Sequence, residues 1–125
     1  MTIPYIHYCA GYKYQLTRQY SVRIPLAGYE FEAEYFALYR DGTLIIREGY
    51  AWDGPSGPTI DTKSFMRGSL VHDVLYQAMR MELLPRSCRE QVDRILRDIC
   101  IEDGMWRWRA AYVYRLVRRY AGPAR

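Results

Sequence analysis

Apolar and polar positions alternate through the first third of the chain. Tyr12, Tyr14 and Leu16 alternate with polar residues, and Tyr29, Phe31 and Ala33 alternate with Glu30, Glu32 and Glu34. A period of two puts one set of side chains on a buried face and the other in water, so both runs predict β-strands. Asp41-Gly42 separates Tyr35-Phe36-Ala37-Leu38-Tyr39 from Thr43-Leu44-Ile45-Ile46, and Asp-Gly between two β-rich runs predicts a hairpin. From Gly49 to Pro58 glycine and proline are too frequent for a regular element.

Beyond Pro58 the apolar period lengthens to three or four, and helices are expected. The first is predicted from about Thr62 to Met81, with Asp61 or Thr62 as N-cap. Ser87-Cys88-Arg89-Glu90 has the pattern of a capping box and opens the second. Cys88, Val92, Ile95 and Ile99 line its apolar face, and Gly104 closes it. The third is predicted from about Met105 to Ala121, stopped by Gly122-Pro123. Trp106, Ala110, Val113, Val117 and Tyr120 share one face of it, with Arg107, Arg115, Arg118 and Arg119 on the other. Strands followed by helices give an α+β fold: an N-terminal antiparallel hairpin or sheet, then three α-helices. A single domain over 1–125 is expected, β-rich over about 1–50 and helical over about 59–121.

Composition changes this picture little. Half the 125 residues are apolar and 26% are charged, as in ordinary globular domains. The 13 tyrosines suit half-buried surfaces and interfaces, because each ring covers apolar area and keeps a polar tip. Three cysteines, Cys9, Cys88 and Cys100, are a poor disulfide or zinc framework and favour a reducing compartment. No apolar run reaches the roughly 20 residues of a membrane span. Met1-Thr2-Ile3-Pro4 shows no signal-peptide character. A net charge of +4 permits contact with anionic surfaces without demanding it.

The candidate chemistry begins at His72-Asp73. Side chains of adjacent helical residues diverge by about 100°, so one can handle a proton while the other holds a cation. His72 shares a face with Phe65, Ser69, Tyr76 and Met79. The plain alternative is a core histidine satisfied by Ser69, Tyr76 or a backbone carbonyl. Asp93 lies at the edge of the apolar stripe of the second helix, where a carboxylate needs a partner. An Asp–His pair across two antiparallel helices would set the imidazole tautomer for general-base work. A surface pair with Arg89 or Arg97 is the alternative. Asp73 is a candidate ligand for a hard cation such as calcium, with carbonyls supplied by the Asp53–Pro58 loop, where Gly54 and Gly57 permit tight turns. The same loop also reads as a rigid turn in which Asp53 and Ser56 cap the backbone.

Two families share these motifs. From about Gly49 to Tyr114 the chain resembles an uncharacterised phage and prophage family, a domain of unknown function (number 1353). The shared features are Asp53-Gly54-Pro55-Ser56-Gly57-Pro58, His72-Asp73-Val74-Leu75-Tyr76, Asp93, and Tyr112 or Tyr114. The loop, the His72-Asp73 helix and Asp93-Arg94 also resemble the phospholipase A2 superfamily. That resemblance implies His72 as general base, Asp93 orienting it and Tyr76 bracing Asp93. It further implies calcium held by Asp73 and by loop carbonyls near Trp52, Gly54 and Gly57. Gly68, Ser69 and Leu75 stand where secreted members carry cysteines, and the loop holds Pro55 and Pro58 in place of the usual paired glycines.

Two functions are therefore expected. One is a phage-encoded calcium-dependent hydrolase acting on phospholipid or another ester. The other is a non-enzymatic virion, tail-associated or host-modulating protein with a tyrosine-rich contact surface. Nucleic-acid binding through the arginines of the third helix is disfavoured, because such a face is more often solvated or ion-paired.

Overall fold

The computed structural model describes residues 2–3, 5–10, 14–53 and 62–121. The chain divides into two compact units, Met1–Gly54 and Pro55–Arg125.

The first unit is antiparallel β. Its strands are β1 (Tyr8–Cys9), β2 (Tyr14–Leu16), β3 (Tyr20–Arg23), β4 (Phe31–Glu32), β5 (Phe36–Leu38), β6 (Thr43–Ile46) and β7 (Ala51–Trp52). They form a three-stranded sheet, β1-β2-β7, and a four-stranded sheet, β3-β6-β5-β4. Alternation sets the buried face: Tyr20 and Val22 of β3 and Leu44 and Ile46 of β6 are buried, and register pairs Tyr20 with Ile46 and Val22 with Leu44. The β5–β6 hairpin forms at Asp41-Gly42, through a three-residue loop. Tyr39 N–H donates to the Thr43 carbonyl, and Gly42 N–H donates back to the Tyr39 carbonyl. Only Gly42 takes a positive φ, +94°, as a type I turn followed by a left-handed residue requires. Asp41 accepts the Thr43 N–H at 2.9 Å and closes the turn. The alternation of Tyr29, Phe31 and Ala33 yields only the short β4, and Tyr12 lies outside the described residues.

The second unit holds α1 (Thr62–Arg80), a single 3-10 turn (Arg86–Cys88), α2 (Arg89–Glu102) and α3 (Arg107–Tyr120). From Ser64 to Met79 every α1 residue is buried except the half-buried His72, Asp73 and Gln77. The partly open strip of this helix thus carries the candidate histidine and aspartate. α1 ends in a Schellman motif, with Leu83 N–H on the Ala78 carbonyl and Glu82 N–H on the Met79 carbonyl. Glu82 takes the left-handed position, φ +61°, that glycine usually fills. α2 ends the same way around Gly104, φ +104°, with Met105 N–H on the Cys100 carbonyl. That motif ties Met105 back onto the last turn of α2, and α3 begins two residues later, at Arg107.

α1 and α2 pack antiparallel. Gly68 lies against Leu96 and Cys100, and His72, further along α1, meets Asp93, earlier on α2. A Cβ at Gly68 would sit 2.9 Å from Leu96 Cδ1 and 3.1 Å from Cys100 Sγ, so the missing side chain is what lets the helices approach. Phe65, Leu96, Cys100, Met105, Ala110 and Val113 form one apolar cluster across the three helices. Buried Arg67 is neutralised inside this unit, with Asp103 accepting at 2.9–3.2 Å and Glu102 accepting as well.

Three expectations are corrected. The capping box at Ser87 does not form: the 3-10 turn runs straight into α2, Cys88 is its N-cap without a side-chain bond, and Glu90 pairs with Arg94 at 3.0 Å. Trp106 does not join the apolar face of α3, because it precedes the helix in extended conformation and is 69% exposed. Tyr120 is also exposed and does not join that face.

Candidate functional site

Asp93 is the centre of the site. It is buried with no exposure at all, yet three donors converge on it. From α1, His72 Nε2 lies 2.8 Å from Oδ1 and the Tyr76 hydroxyl donates to the same oxygen at 2.6 Å. From α3, Arg118 Nη1 donates to Oδ2 at 2.9 Å. His72 and Tyr76 are one helical turn apart, and their rings lie 4.1 Å centroid to centroid, tilted by 35°. The tyrosine ring therefore packs against the imidazole while its hydroxyl bonds the same carboxylate.

Burial pushes the Asp93 carboxyl up. The hydrogen bonds from His72, Tyr76 and Arg118 outweigh it, and the group titrates below its ordinary value. Burial together with the bond to Asp93 holds the Tyr76 phenol well above its ordinary value, so it remains a donor. An ionised Asp93 can only accept, so the His72 Nε2 it faces carries the hydrogen. In the neutral imidazole the lone pair is then on Nδ1, which has no hydrogen bond to any described residue; the side chain keeps 13% exposure.

Arg89 ties this cluster to the end of α3. Its Nε donates to the Tyr76 hydroxyl at 3.2 Å. Its Nη2 donates to the carbonyls of Val117, Arg118 and Ala121, the last turn of α3. The Val117 carbonyl also accepts the Ala121 N–H at 3.1 Å, and a guanidinium here suits the negative end of the helix dipole.

The structure thus brings together His72, Tyr76 and Asp93, and adds Arg118 and Arg89. Ser69 donates to the Met66 carbonyl at 2.8 Å, and Arg97 bonds Asp98. Arg89 reaches the phenol and not Asp93. Arg118, placed by helical spacing on the outward side of α3, reaches inward with a side chain 33% exposed. Its signal in the sequence is a charge argument: a buried carboxylate calls for a cation, and the third helix is rich in arginine.

The calcium ligands stand differently. Asp73 is half-buried and engaged with neighbouring groups. Trp52 is buried in β7 of the first unit, against Tyr8 and Tyr14, and Asp53 follows it, exposed. Gly54, Ser56 and Gly57 lie outside the described residues. Among the described residues no three His, Cys, Asp or Glu side chains cluster as metal ligands. One carboxylate falls far short of the six to eight oxygens calcium takes, so the described donors alone do not make that site. Cys100 is buried and its thiol is pushed up to about 12 by that burial, which leaves it inert at neutral pH. No helix among the described residues is long and apolar enough to cross a membrane.

No protein-family model, curated protein or solved structure matches the chain.

Proposed function

We propose that the chain is a phage-encoded ester hydrolase of phospholipase A2 type, with His72 as general base. The supporting observation is the fully buried Asp93 at 2.8 Å from His72 Nε2, which directs the lone pair of the ring to Nδ1. In this reading Nδ1 takes a proton from water as the water oxygen attacks the ester carbonyl carbon. Asp93 stabilises the imidazolium that forms, and Tyr76 and Arg118 keep Asp93 in place. When the tetrahedral adduct collapses, the bond to the alcohol oxygen breaks and Nδ1 returns the proton to that oxygen. Calcium, when bound, would polarise the carbonyl and stabilise the oxyanion. Asp73 is the described carboxylate that would contribute to holding it.

A second reading rests on Arg118. It neutralises Asp93, and among the described residues no buried side-chain nitrogen or oxygen lacks a partner. A buried carboxylate satisfied this fully also suits a structural joint in a non-enzymatic virion, tail-associated or host-modulating protein.

Fatty-acid release from mixed phospholipid vesicles with calcium separates the two readings. The hydrolase reading expects turnover that His72→Gln abolishes, and calcium binding by calorimetry that Asp73→Asn removes. Folded protein showing neither calcium binding nor hydrolysis overturns it and leaves the structural role.

A further inference from the structure

Of the α3 arginines only Arg118 bonds Asp93 at the site. The helix carries five arginines and no acidic residue. Ala110 and Val113 face the apolar cluster. On the opposite side, spacings of four, three and four residues align Trp108, Tyr112, Arg115 and Arg119. Trp108 is 65% exposed and Tyr112 52%, and Trp106 lies beside Trp108 with ring centroids 6.3 Å apart. Among the described residues Arg107, Arg115 and Arg119 pair with no acid.

We propose that this face docks the protein on an anionic lipid bilayer. Tryptophan and tyrosine rings have an apolar body and a polar edge, and they settle at the boundary between headgroups and acyl chains. Arginines on the same line meet the lipid phosphates, so charge and apolar contact act together. A second copy of the chain fits less well, because a two-fold contact through α3 sets arginines against arginines with no acid on the helix to pair them. Single-stranded nucleic acid is held along a groove, whereas this line of side chains is the outer ridge of a helix. Docking needs no turnover, so the inference stands apart from the hydrolase reading.

The test uses the full chain with vesicles of phosphatidylglycerol and phosphatidylcholine, and with phosphatidylcholine alone. Co-sedimentation gives partitioning and tryptophan emission gives depth; of the three tryptophans only Trp52 is buried. Binding to the anionic vesicles, a blue shift and suppression by salt are expected. Arg115→Gln with Arg119→Gln weakens partitioning by about 30-fold, at roughly a factor of five per arginine. Trp106→Ser with Trp108→Ser removes the shift and weakens partitioning by about tenfold. These side chains are exposed, so both variants keep the helical circular dichroism, and His72→Gln docks like the wild type. Failure of the folded protein to bind anionic vesicles overturns the proposal. So does equal binding by both double variants, or preference for an RNA or DNA oligomer over the vesicles.

Discussion

Replacing Asp93 by Asn tests the reasoning most directly, because it keeps the shape and removes the charge. Asp93 has no exposure and accepts from His72, Tyr76 and Arg118. Hydrogen bonds to a charged group contribute about 1.5–3 kcal/mol each, against about 0.5–1.5 for neutral pairs. The Asn carbonyl keeps the His72 and Tyr76 bonds at neutral strength, losing about 1 kcal/mol on each. Its amide opposes Arg118 donor to donor, but Arg118 is 33% exposed and recovers part of its loss in water. The net destabilisation at neutral pH is about 2–4 kcal/mol, or roughly 6–16 °C in Tm for a chain of this size. Urea unfolding followed by helical circular dichroism measures it. The pH dependence has a definite sign. The folded carboxyl titrates below its ordinary 3.8, so the unfolded state binds the proton more readily. The stabilisation is complete above that ordinary value and is lost as pH falls through the folded one. The gap between wild type and variant therefore closes in acid. A neutral or stabilising substitution at pH 7, or a gap that persists unchanged in acid, would refute the account.

Other substitutions probe separate features. Gly68→Ala gains about 1 kcal/mol of helix propensity but overpacks against Leu96 and Cys100 at a cost of about 1–3 kcal/mol, so a net loss is expected in denaturant midpoints. Gly42→Ala brings a Cβ within 2.4 Å of the Ile24 carbonyl oxygen at φ +94°, and should destabilise the β unit by at least about 1–2 kcal/mol in thermal melts. Glu82→Gly relieves the left-handed cap of α1 and should raise stability by about 0.5–1 kcal/mol, read from the same melts. Tyr76→Phe removes one donor from Asp93 and one acceptor from Arg89, so a loss of about 1–3 kcal/mol is expected, together with faster amide exchange in the last turn of α3.

The element order could be read from periodicity because each run had to bury one face. Asp41-Gly42 marked its hairpin, and the change of period after Pro58 marked the helices. Asp93 and His72 were identifiable because each sits on or beside an apolar stripe where a polar group needs a partner. Arg118 was hidden because helical spacing describes where a Cα points, while a long guanidinium can turn back around its helix. Ser87 misled for a different reason. A 3-10 turn ahead of α2 supplied the backbone bonds that a cap would have supplied. Trp106 was misplaced because the Schellman motif at Gly104 delays the start of α3, an effect of backbone geometry that side-chain periodicity does not carry.

The donors on Asp93 come from segments made at very different times. His72 and Tyr76 precede it in the chain, and Arg118 follows it by 25 residues. While the protein is being synthesised, an α1–α2 hairpin would have to enclose a carboxylate whose outer oxygen still needs water. A chain ending before α3 is therefore expected to leave the α1–α2 hairpin loosely closed, with slow-exchanging amides appearing there only when α3 is present. On this account the buried charge makes the third helix a requirement for closing the first two.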